Sequence, residues 1–469
     1  MRCRWPAGHI ISEQTRAYPE GSVGSAVCAK PFRNRAAGPR AGDYHGYVHP
    51  MKQQLAAVDE ANLVLDHAGQ VNVFLVAGLL APGGFVDGEA TCDLAELREN
   101  LRGRIAAQPA LRRRVAAVGR RHRWIESAPD LEHHIRLAEP VEGLEGLERK
   151  CAELMSQPLE LDRPLWEILV VPGASETGPG VVLRIHHSVA DGVEAVAIVQ
   201  RLFEPGEPGE PPANEAHASK PSEAGNRTPR QTVRRLGIAV HRIVMTLWGR
   251  GVGATALLGE RSTIRGVVFL RVDIKALAAV VRQRGATVND ALLAASASGF
   301  RAAFRAVGEP IPARLPVSVP VALRRSGTAG NQVGVMLVRL PLDEPSPDER
   351  LRLIAAQTRE EKSRAREQGT LEFMRGRLGA RFLDHFARRQ HLVAGFVTNV
   401  PGTERSFRLA GAPVIALWPV AVLAGNVRLG VAAVSYAGNL CCGIHFDAAT
   451  VPGAAFARAM SGEMARLCA

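Results

Sequence analysis

Two kinds of hydrophobic pattern alternate along the chain. Short runs dominated by Val, Leu and Ile predict buried strands, and longer stretches with apolar residues at helical spacing predict amphipathic helices. The predicted strands are Val71–Leu80, Leu165–Val171, Val267–Val272, Val333–Leu340 and Leu429–Tyr436. The predicted helices are Leu94–Ala107, Ile274–Arg284 and Asp348–Gln368. Because the two kinds of element alternate in both halves of the chain, the pattern predicts mixed α/β layers.

Two segments lack this pattern and mark predicted domain boundaries. Residues 1–50 are rich in Arg, Gly, Ala, Pro and Ser and contain no apolar core of a signal peptide, so we predict a disordered basic extension. Residues 205–232 form a Pro-, Gly- and Glu-rich linker from which no packed core can be built. The predicted domains are therefore residues 51–204 and residues 233–469.

The run that ends in His186 and His187 carries the strongest chemical signal. It is mostly apolar before the pair, so the histidines lie where a predicted core strand ends, and Asp191 and Gly192 then turn the chain into an apolar helix. Successive strand residues point to opposite faces, so one imidazole can face a cleft while the other packs behind it. We predict that His187 is a general base, since imidazole titrates near neutrality. Alternatively, both histidines are core residues.

Several further segments accompany this His-His-x-x-x-Asp-Gly pattern. In chain order they are Pro129–Arg136, Leu159–Ile168, Thr287–Ala294, Pro316–Val319, Gly330–Asn331, Asn399–Gly402 and Leu409–Pro413. The ordered series resembles the bacterial wax ester synthase/diacylglycerol acyltransferase family, within the coenzyme A-dependent acyltransferases, from about Met51 onward. The resemblance implies an α/β fold of two chloramphenicol-acetyltransferase-like domains, each of mixed sheet plus helices, with a tunnel between them.

The resemblance also implies a reaction and a set of site residues. A fatty acyl group would pass from acyl-CoA, a co-substrate, to diacylglycerol or a long-chain alcohol, with no resident cofactor and no metal. His187 would take the alcohol proton and then protonate the thiolate, without a covalent enzyme intermediate. The implied catalytic residues are His187, His186 and Asp191. The implied supporting residues are Gly192, Asn289 and Asp290.

Thr287 and Asp290 also predict a purely structural feature. Their spacing, just before an apolar stretch, is typical of a helix N-cap with an acidic first turn. Asn289 is instead suited to donating a hydrogen bond toward a developing oxyanion. The two roles are compatible, so both remain open from the sequence.

Two other functions remain open as well. A condensation-type acyltransferase that uses carrier-protein thioesters or glycolipid alcohols shares the histidine motif. A non-catalytic lipid-binding homologue would keep the fold without the reaction.

Charge and cysteine content limit the partners. The net charge of +12 favours anionic partners, and the absence of a nucleic-acid motif favours lipid surfaces and coenzyme A over nucleic acid. Seven cysteines without Cys-x-x-Cys spacing indicate a reducing cytosol rather than secretion. Residues 233–258 read as a cationic amphipathic helix, either interfacial or packed on the protein. We therefore expect a cytoplasmic protein bound peripherally to the inner face of the membrane or to lipid inclusions.

Overall fold

The computed structural model describes residues 53–55, 57–66, 70–118, 121–190, 192–205, 252–322, 333–368, 385 and 387–468. The helices are α1 Ala57–Leu65, α2 Leu94–Ala106, α3 Leu131–His134, α4 Gly143–Leu154, α5 Gly192–Leu202, α6 Ile274–Gln283, α7 Val288–Ala306, α8 Pro347–Gln368 and α9 Gly453–Cys468. The strands are β1 Gln53–Gln54, β2 Val73–Leu80, β3 Arg113–Val118, β4 Arg121–Glu126, β5 Ile135–Leu137, β6 Trp166–Val171, β7 Gly180–His186, β8 Glu204–Pro205, β9 Arg265–Asp273, β10 Arg314–Ala322, β11 Val333–Pro341, β12 Gly395–Thr403, β13 Phe407–Leu409, β14 Ala412–Val420, β15 Leu429–Tyr436 and β16 Asn439–Asp447.

The five predicted strands and the helices predicted at Leu94–Ala107, Ile274–Arg284 and Asp348–Gln368 are confirmed, with ends that move by at most two residues. Side-chain caps explain why two of the helices begin where they do. The Asp93 carboxylate accepts hydrogen bonds from the first amides of α2, and the Asp273 carboxylate accepts one from the first turn of α6. The predicted mixed α/β class is therefore correct.

The histidine motif belongs to a sheet of seven strands, in the order β5-β6-β7-β2-β14-β13-β8. Every residue of β6 and β7 is buried, which explains their continuous apolar sequences. The central strand β2 pairs antiparallel with β7 on one side and with β14 on the other. A separate sheet of three short strands, in the order β1-β4-β3, adds to this half.

The second large sheet has six strands, in the order β11-β10-β12-β15-β16-β9. Its β12 pairs in parallel with β10 and β15, while its other pairings are antiparallel. Helices α7 and α9 pack on each other and contribute to a second hydrophobic core, with apolar residues of α6, α8 and this sheet. The adjacent Cys441 and Cys442 divide between the two cores, since neighbouring strand residues face opposite ways.

Strands β13 and β14 come from the second half of the sequence but extend the sheet of the first half. The backbone of β14 pairs with β2 from Val414 opposite Leu80 to Val420 opposite Leu75. This stretch is the most apolar of the chain, and in the structure it is a sheet strand with most of its residues buried and Ile415 exposed. The predicted linker and the predicted extension, residues 206–232 and 1–50, lie outside the described residues, so that domain division stays a prediction.

Tyr436 ties the two large sheets together by hydrogen bonds. Its hydroxyl lies at the end of β15, accepts a bond from the Phe407 amide of β13 at 2.8 Å and donates one to the Val414 carbonyl of β14 at 2.8 Å. Burial raises the pKa of the Tyr436 hydroxyl to about 12, so the group remains a donor over the working pH range.

Replacing this hydroxyl should weaken the junction between the sheets. Tyr436→Phe leaves the Phe407 amide and the Val414 carbonyl buried without that partner, so the free energy of unfolding should fall by roughly 1–3 kcal/mol. Urea denaturation followed by far-ultraviolet circular dichroism measures the change. An unchanged midpoint with an unchanged slope would contradict this account of the junction.

Candidate active site

Strand β7 delivers the histidine pair to one edge of the seven-stranded sheet. His186, its last residue, lies opposite Val73 at the start of β2. Because β2 is antiparallel to both β7 and β14, the end of β7, the start of β2 and the end of β14 meet at the same edge. The His187 amide then donates to the Asn72 carbonyl at 3.0 Å, which adds one more hydrogen bond beyond the end of the strand.

The structure separates the environments of the two imidazoles, as strand alternation predicts. His186 is 0 % exposed, whereas His187 is partly exposed. The His187 ring meets Phe74 edge to face, with ring centroids 5.2 Å apart. Of the two histidines, only His187 is partly exposed to solvent.

Both ring nitrogens of His186 face protein groups. Nδ1 accepts a hydrogen bond from the Ser188 amide at 3.0 Å and lies 2.7 Å from the Ser188 hydroxyl. The neutral ring therefore carries its proton on Nε2. That nitrogen lies 3.3 Å from an oxygen of Asp66, within ion-pair distance but without hydrogen-bond alignment. His186 is thus enclosed, although the sequence predicts it as a catalytic residue.

Three polar residues next to the histidines were not predicted from the sequence: Asn62, Asp66 and Asn72. The Asn62 amide donates to the His187 carbonyl at 3.0 Å, and the Asn72 main-chain amide donates to the Asp66 carboxylate at 3.0 Å. A weak signal was available, because Asn62 and Asp66 are four residues apart in and just after an amphipathic helix and so share one face. Nothing in the sequence indicates what that face contacts.

The other predicted site residues divide into two groups. Asp191 lies outside the described residues, so its predicted role stays a prediction; Gly192 is the first residue of α5. The predicted N-cap is present, because the Thr287 hydroxyl accepts from the Asp290 amide and the Asp290 carboxylate accepts from the Thr287 amide. Asp290 also accepts a bond from Thr358 at 2.6 Å. Its carboxylate therefore holds the start of α7, while Asn289 is half-buried beside it.

A bridge between the halves of the chain lies at the same sheet edge. The Gln70 side-chain carbonyl accepts from the Gly425 amide at 2.9 Å and from the Arg261 guanidinium at 3.0 Å. Arg261 also donates to the Leu423 carbonyl. The loop after β14 is thus joined to the residues that precede β2.

A cavity of about 880 Å³ lies elsewhere, between α4, β9 and α9. Its charged lining residues are Glu145, Glu148, Arg149, Glu153, Arg265 and Arg458, a set of mixed sign, and His187 is not among the lining residues. The predicted tunnel at His187 stays a prediction. Within the described residues, no group of three or more His, Cys, Asp or Glu side chains could hold a metal ion.

Comparisons with known proteins decide the family. The model of the wax ester synthase/diacylglycerol acyltransferase catalytic domain matches residues 55–257, and that of the C-terminal domain of the same family matches residues 329–467. A relative from Mycobacterium tuberculosis, named as a probable diacyglycerol O-acyltransferase tgs1, is 30% identical over 85% of this chain and 92% of its own length. The chain belongs to the wax ester synthase/diacylglycerol acyltransferase family. The predicted family is confirmed, and the protein is an acyltransferase.

Solved structures support the fold of this acyltransferase. The wax ester synthase/diacylglycerol acyltransferase from Marinobacter aquaeolei VT8 is 22% identical, with a TM-score of 0.67 over 88% of this chain and 98% of that one. The trichothecene 15-O-acetyltransferase from Fusarium sporotrichioides is 11% identical, with a TM-score of 0.60 over 89% and 95%. The first condensation domain of the CDA synthetase is 16% identical, with a TM-score of 0.57 over 89% and 95%. At these identities the likeness concerns the fold.

Two family segments of the acyltransferase have structural roles. Trp166, from the Pro-Leu-Trp-Glu segment, donates its indole N–H to the Leu111 carbonyl at 2.9 Å and stacks on His134. In the Asn-Val-Pro-Gly segment, a side chain at Gly402 would place its Cβ 1.9 Å from the Ser435 carbonyl oxygen. The glycine therefore allows β12 to approach β15 closely.

His445 is a second buried histidine near the active-site edge. Its Nδ1 donates to the carbonyl of Ala421, the residue after β14, at 2.8 Å. Burial lowers the pKa of His445 to about 3, since the Ala421 hydrogen bond and nearby Asp447 only partly offset the loss of hydration. The ring is therefore neutral in the folded acyltransferase.

This pKa predicts a loss of stability in mild acid. The unfolded chain binds a proton at His445 near pH 6.5 and the folded chain only near 3. Stability from the neutral ring is therefore complete above pH 6.5 and declines as the pH falls toward 3. Between pH 4 and 6, unfolding of the wild-type protein should take up about one more proton than unfolding of His445→Gln, because glutamine does not titrate. Urea titrations at several pH values measure this difference, with His391→Gln, on the surface, as the matched control. If the free energy of unfolding changed with pH equally steeply in His445→Gln and in wild type, the assigned pKa of His445 would be contradicted.

Proposed function

We propose that the protein transfers a fatty acyl group from acyl-CoA to diacylglycerol or a long-chain alcohol, with His187 as the general base. The observation that carries this proposal is the difference between the two adjacent imidazoles. His186 is enclosed by Ser188 and Asp66, whereas His187 is partly exposed and has both main-chain polar groups hydrogen-bonded. Family membership and the names of the mycobacterial relatives support diacylglycerol as an acceptor.

The reaction proceeds by direct transfer. The neutral His187 ring accepts the proton of the acceptor hydroxyl while its oxygen attacks the thioester carbonyl carbon. The new carbon–oxygen bond forms, the carbon–sulfur bond breaks, and the thiolate of coenzyme A leaves with its electron pair. The imidazolium then returns its proton to that sulfur, so the products are an ester and a free thiol. Neither a covalent enzyme intermediate nor a resident cofactor takes part in the proposed route.

Removing the base should abolish most of the activity without unfolding the protein. General base catalysis contributes roughly 100- to 10,000-fold, so His187→Ala should release thiol from palmitoyl-CoA more slowly than wild type by about that factor. The assay follows free thiol with dioleoylglycerol or hexadecanol as acceptor. His391→Ala, which removes an exposed imidazole, should keep the parental rate.

Three outcomes would count against the proposal. Thiol release by a folded His187→Ala variant at the parental rate would refute the role of His187. Faster transfer from palmitoyl-acyl carrier protein than from palmitoyl-CoA would favour the condensation-type alternative. No transfer by wild type to either acceptor would refute the proposed substrates.

We propose further that the protein binds anionic lipid surfaces peripherally, on the cytoplasmic face of the membrane or on lipid inclusions. The net charge of +12 supports this. Among the described residues, no helix is long and apolar enough to span a bilayer. The candidate contact lies within residues 233–251, which the structure does not describe, so its assignment rests on its sequence of basic and apolar residues. The predicted helix does not extend to Leu258, because residues 252–258 form a turn without helix in which Leu257 and Leu258 are buried.

Vesicle flotation tests this proposal. More protein should float with vesicles that contain phosphatidylserine than with neutral vesicles, and added salt should reduce the difference, because it screens the attraction. Reversing Arg234 and Arg235 to Glu should lower recovery on anionic vesicles. Reversing the exposed adjacent pair Arg388 and Arg389 is the matched control. Equal recovery from neutral and anionic vesicles would exclude the electrostatic contribution.

A further inference from the structure

We infer that Asn62, Asp66 and Asn72 are positioning residues, which fix the direction of the His187 side chain by holding its main chain. This inference rests on the proposed role of His187 as a general base. It concerns three residues that contact the main chain of His187 or the ring of His186.

The first step is the pair of hydrogen bonds to the His187 main chain. Its amide donates to the Asn72 carbonyl at 3.0 Å, which continues the pairing of β7 with β2 beyond the end of the strand. Its carbonyl, which belongs to the following peptide group, accepts from the Asn62 side chain at 3.0 Å. With the peptide groups on both sides of the Cα atom held, the direction of the Cα–Cβ bond is set.

The second step is the orientation of the Asn62 amide. The Asn72 side-chain amide donates to the Asn62 main-chain carbonyl at 2.9 Å and to the Asn62 side-chain oxygen at 3.3 Å. An oxygen that accepts from Asn72 leaves the NH₂ group of Asn62 to face His187. The donor to the His187 carbonyl is thus selected by a second residue, and Asn72 is itself 4 % exposed.

The third step closes the network through Asp66. One carboxylate oxygen accepts from the Asn72 main-chain amide at 3.0 Å, and the other lies 3.3 Å from Nε2 of His186. The carboxylate therefore holds the segment before β2 and faces the ring of the residue that precedes His187, without an aligned hydrogen bond to it. Helix α1, the start of β2 and the end of β7 are connected at the point where the base emerges.

The arrangement suits a group that must meet an oxygen at hydrogen-bond distance. A displacement of about 1 Å of a catalytic group can cost roughly 100-fold in rate. His187 stands just beyond the end of β7, where the sheet no longer holds both sides of the chain. The Asn62 side chain supplies the hydrogen bond that a further strand residue would otherwise provide.

Variants of Asn62 separate hydrogen bonding from space filling. Asn62→Asp keeps the shape but places an acceptor against the His187 carbonyl, and Asn62→Ala removes the side chain. We expect kcat to fall roughly 10- to 100-fold in Asn62→Ala and at least as far in Asn62→Asp, with the KM for palmitoyl-CoA changed less than about twofold. If Asn62 only filled space, Asn62→Asp would retain most of the activity that Asn62→Ala loses.

Asn439 provides a matched control. Its side chain is also half-buried and donates to a main-chain carbonyl, that of Ala437, at 3.0 Å in the turn between β15 and β16. Asn439→Ala and Asn439→Asp remove the same kind of bond from another part of the fold. Both should keep the wild-type kcat, and their thermal midpoints show how far such a loss affects stability alone.

Hydrogen exchange gives a readout that does not depend on turnover. The His187 amide is protected by its bond to the Asn72 carbonyl, so the peptide that contains it should exchange roughly 10-fold faster in Asn62→Ala, Asn62→Asp and Asn72→Ala than in wild type or the Asn439 variants. Wild-type exchange in the Asn62 and Asn72 variants would overturn the inference, whatever the activity. Faster exchange in the Asn62 and Asn72 variants, together with full activity of His187→Ala, would support the hydrogen bonding of the His187 main chain but refute the role of His187 as the general base.

Discussion

The pairing of β2 with both β7 and β14 is the constraint on which the rest of the site depends. Its antiparallel registers bring the end of β7, the start of β2 and the end of β14 to one edge. The register also decides which histidine is buried and which is exposed. A slip of one residue between β7 and β2 would exchange the two faces of the strand, which would expose His186 and bury His187. The ladder of main-chain hydrogen bonds therefore decides which of the two histidines stays partly exposed.

Burying one histidine beside the other requires polar partners, since an unsatisfied polar group in the interior costs roughly 1–3 kcal/mol. The Ser188 amide satisfies Nδ1 of the His186 ring, while Nε2 faces Asp66 at 3.3 Å without an aligned hydrogen bond. Asn62 and Asn72 satisfy the main-chain groups where the strand ends. The same bonds that satisfy these groups limit the positions open to His187. The hydrogen bonds from Asn62 and Asn72 thus both satisfy buried main-chain groups and fix the position of the proposed base.

The halves of the sequence are joined at this edge and at the opposite end of the same sheet. Strands β13 and β14 continue the first sheet, and Tyr436 of the second sheet bonds to both at the far end of β2, where Val414 lies opposite Leu80. At the histidine edge, Gln70 connects Arg261 with the loop after β14. His445 extends the connection from β16 to the residue that follows β14. An edge that draws on both halves of the chain is suited to the proposed reaction, in which an acyl donor and an alcohol meet beside His187.

Hydrophobic periodicity was sufficient to predict the mixed α/β class and strands such as β2 and β15, because alternation and helical spacing are local properties of the chain. Local rules also anticipated the division between His186 and His187 and the cap formed by Thr287 and Asp290.

Three long-range contacts were not predictable in this way: the insertion of β14 beside β2, the enclosure of His186 by Asp66 and the contact of Asn62 with the His187 carbonyl. They join residues as much as 345 positions apart, as from Leu75 to Val420, or 125 apart, as from Asn62 to His187. Such contacts are decided by strand order and register, which depend on the packing of the whole sheet, and only the tertiary structure determines them.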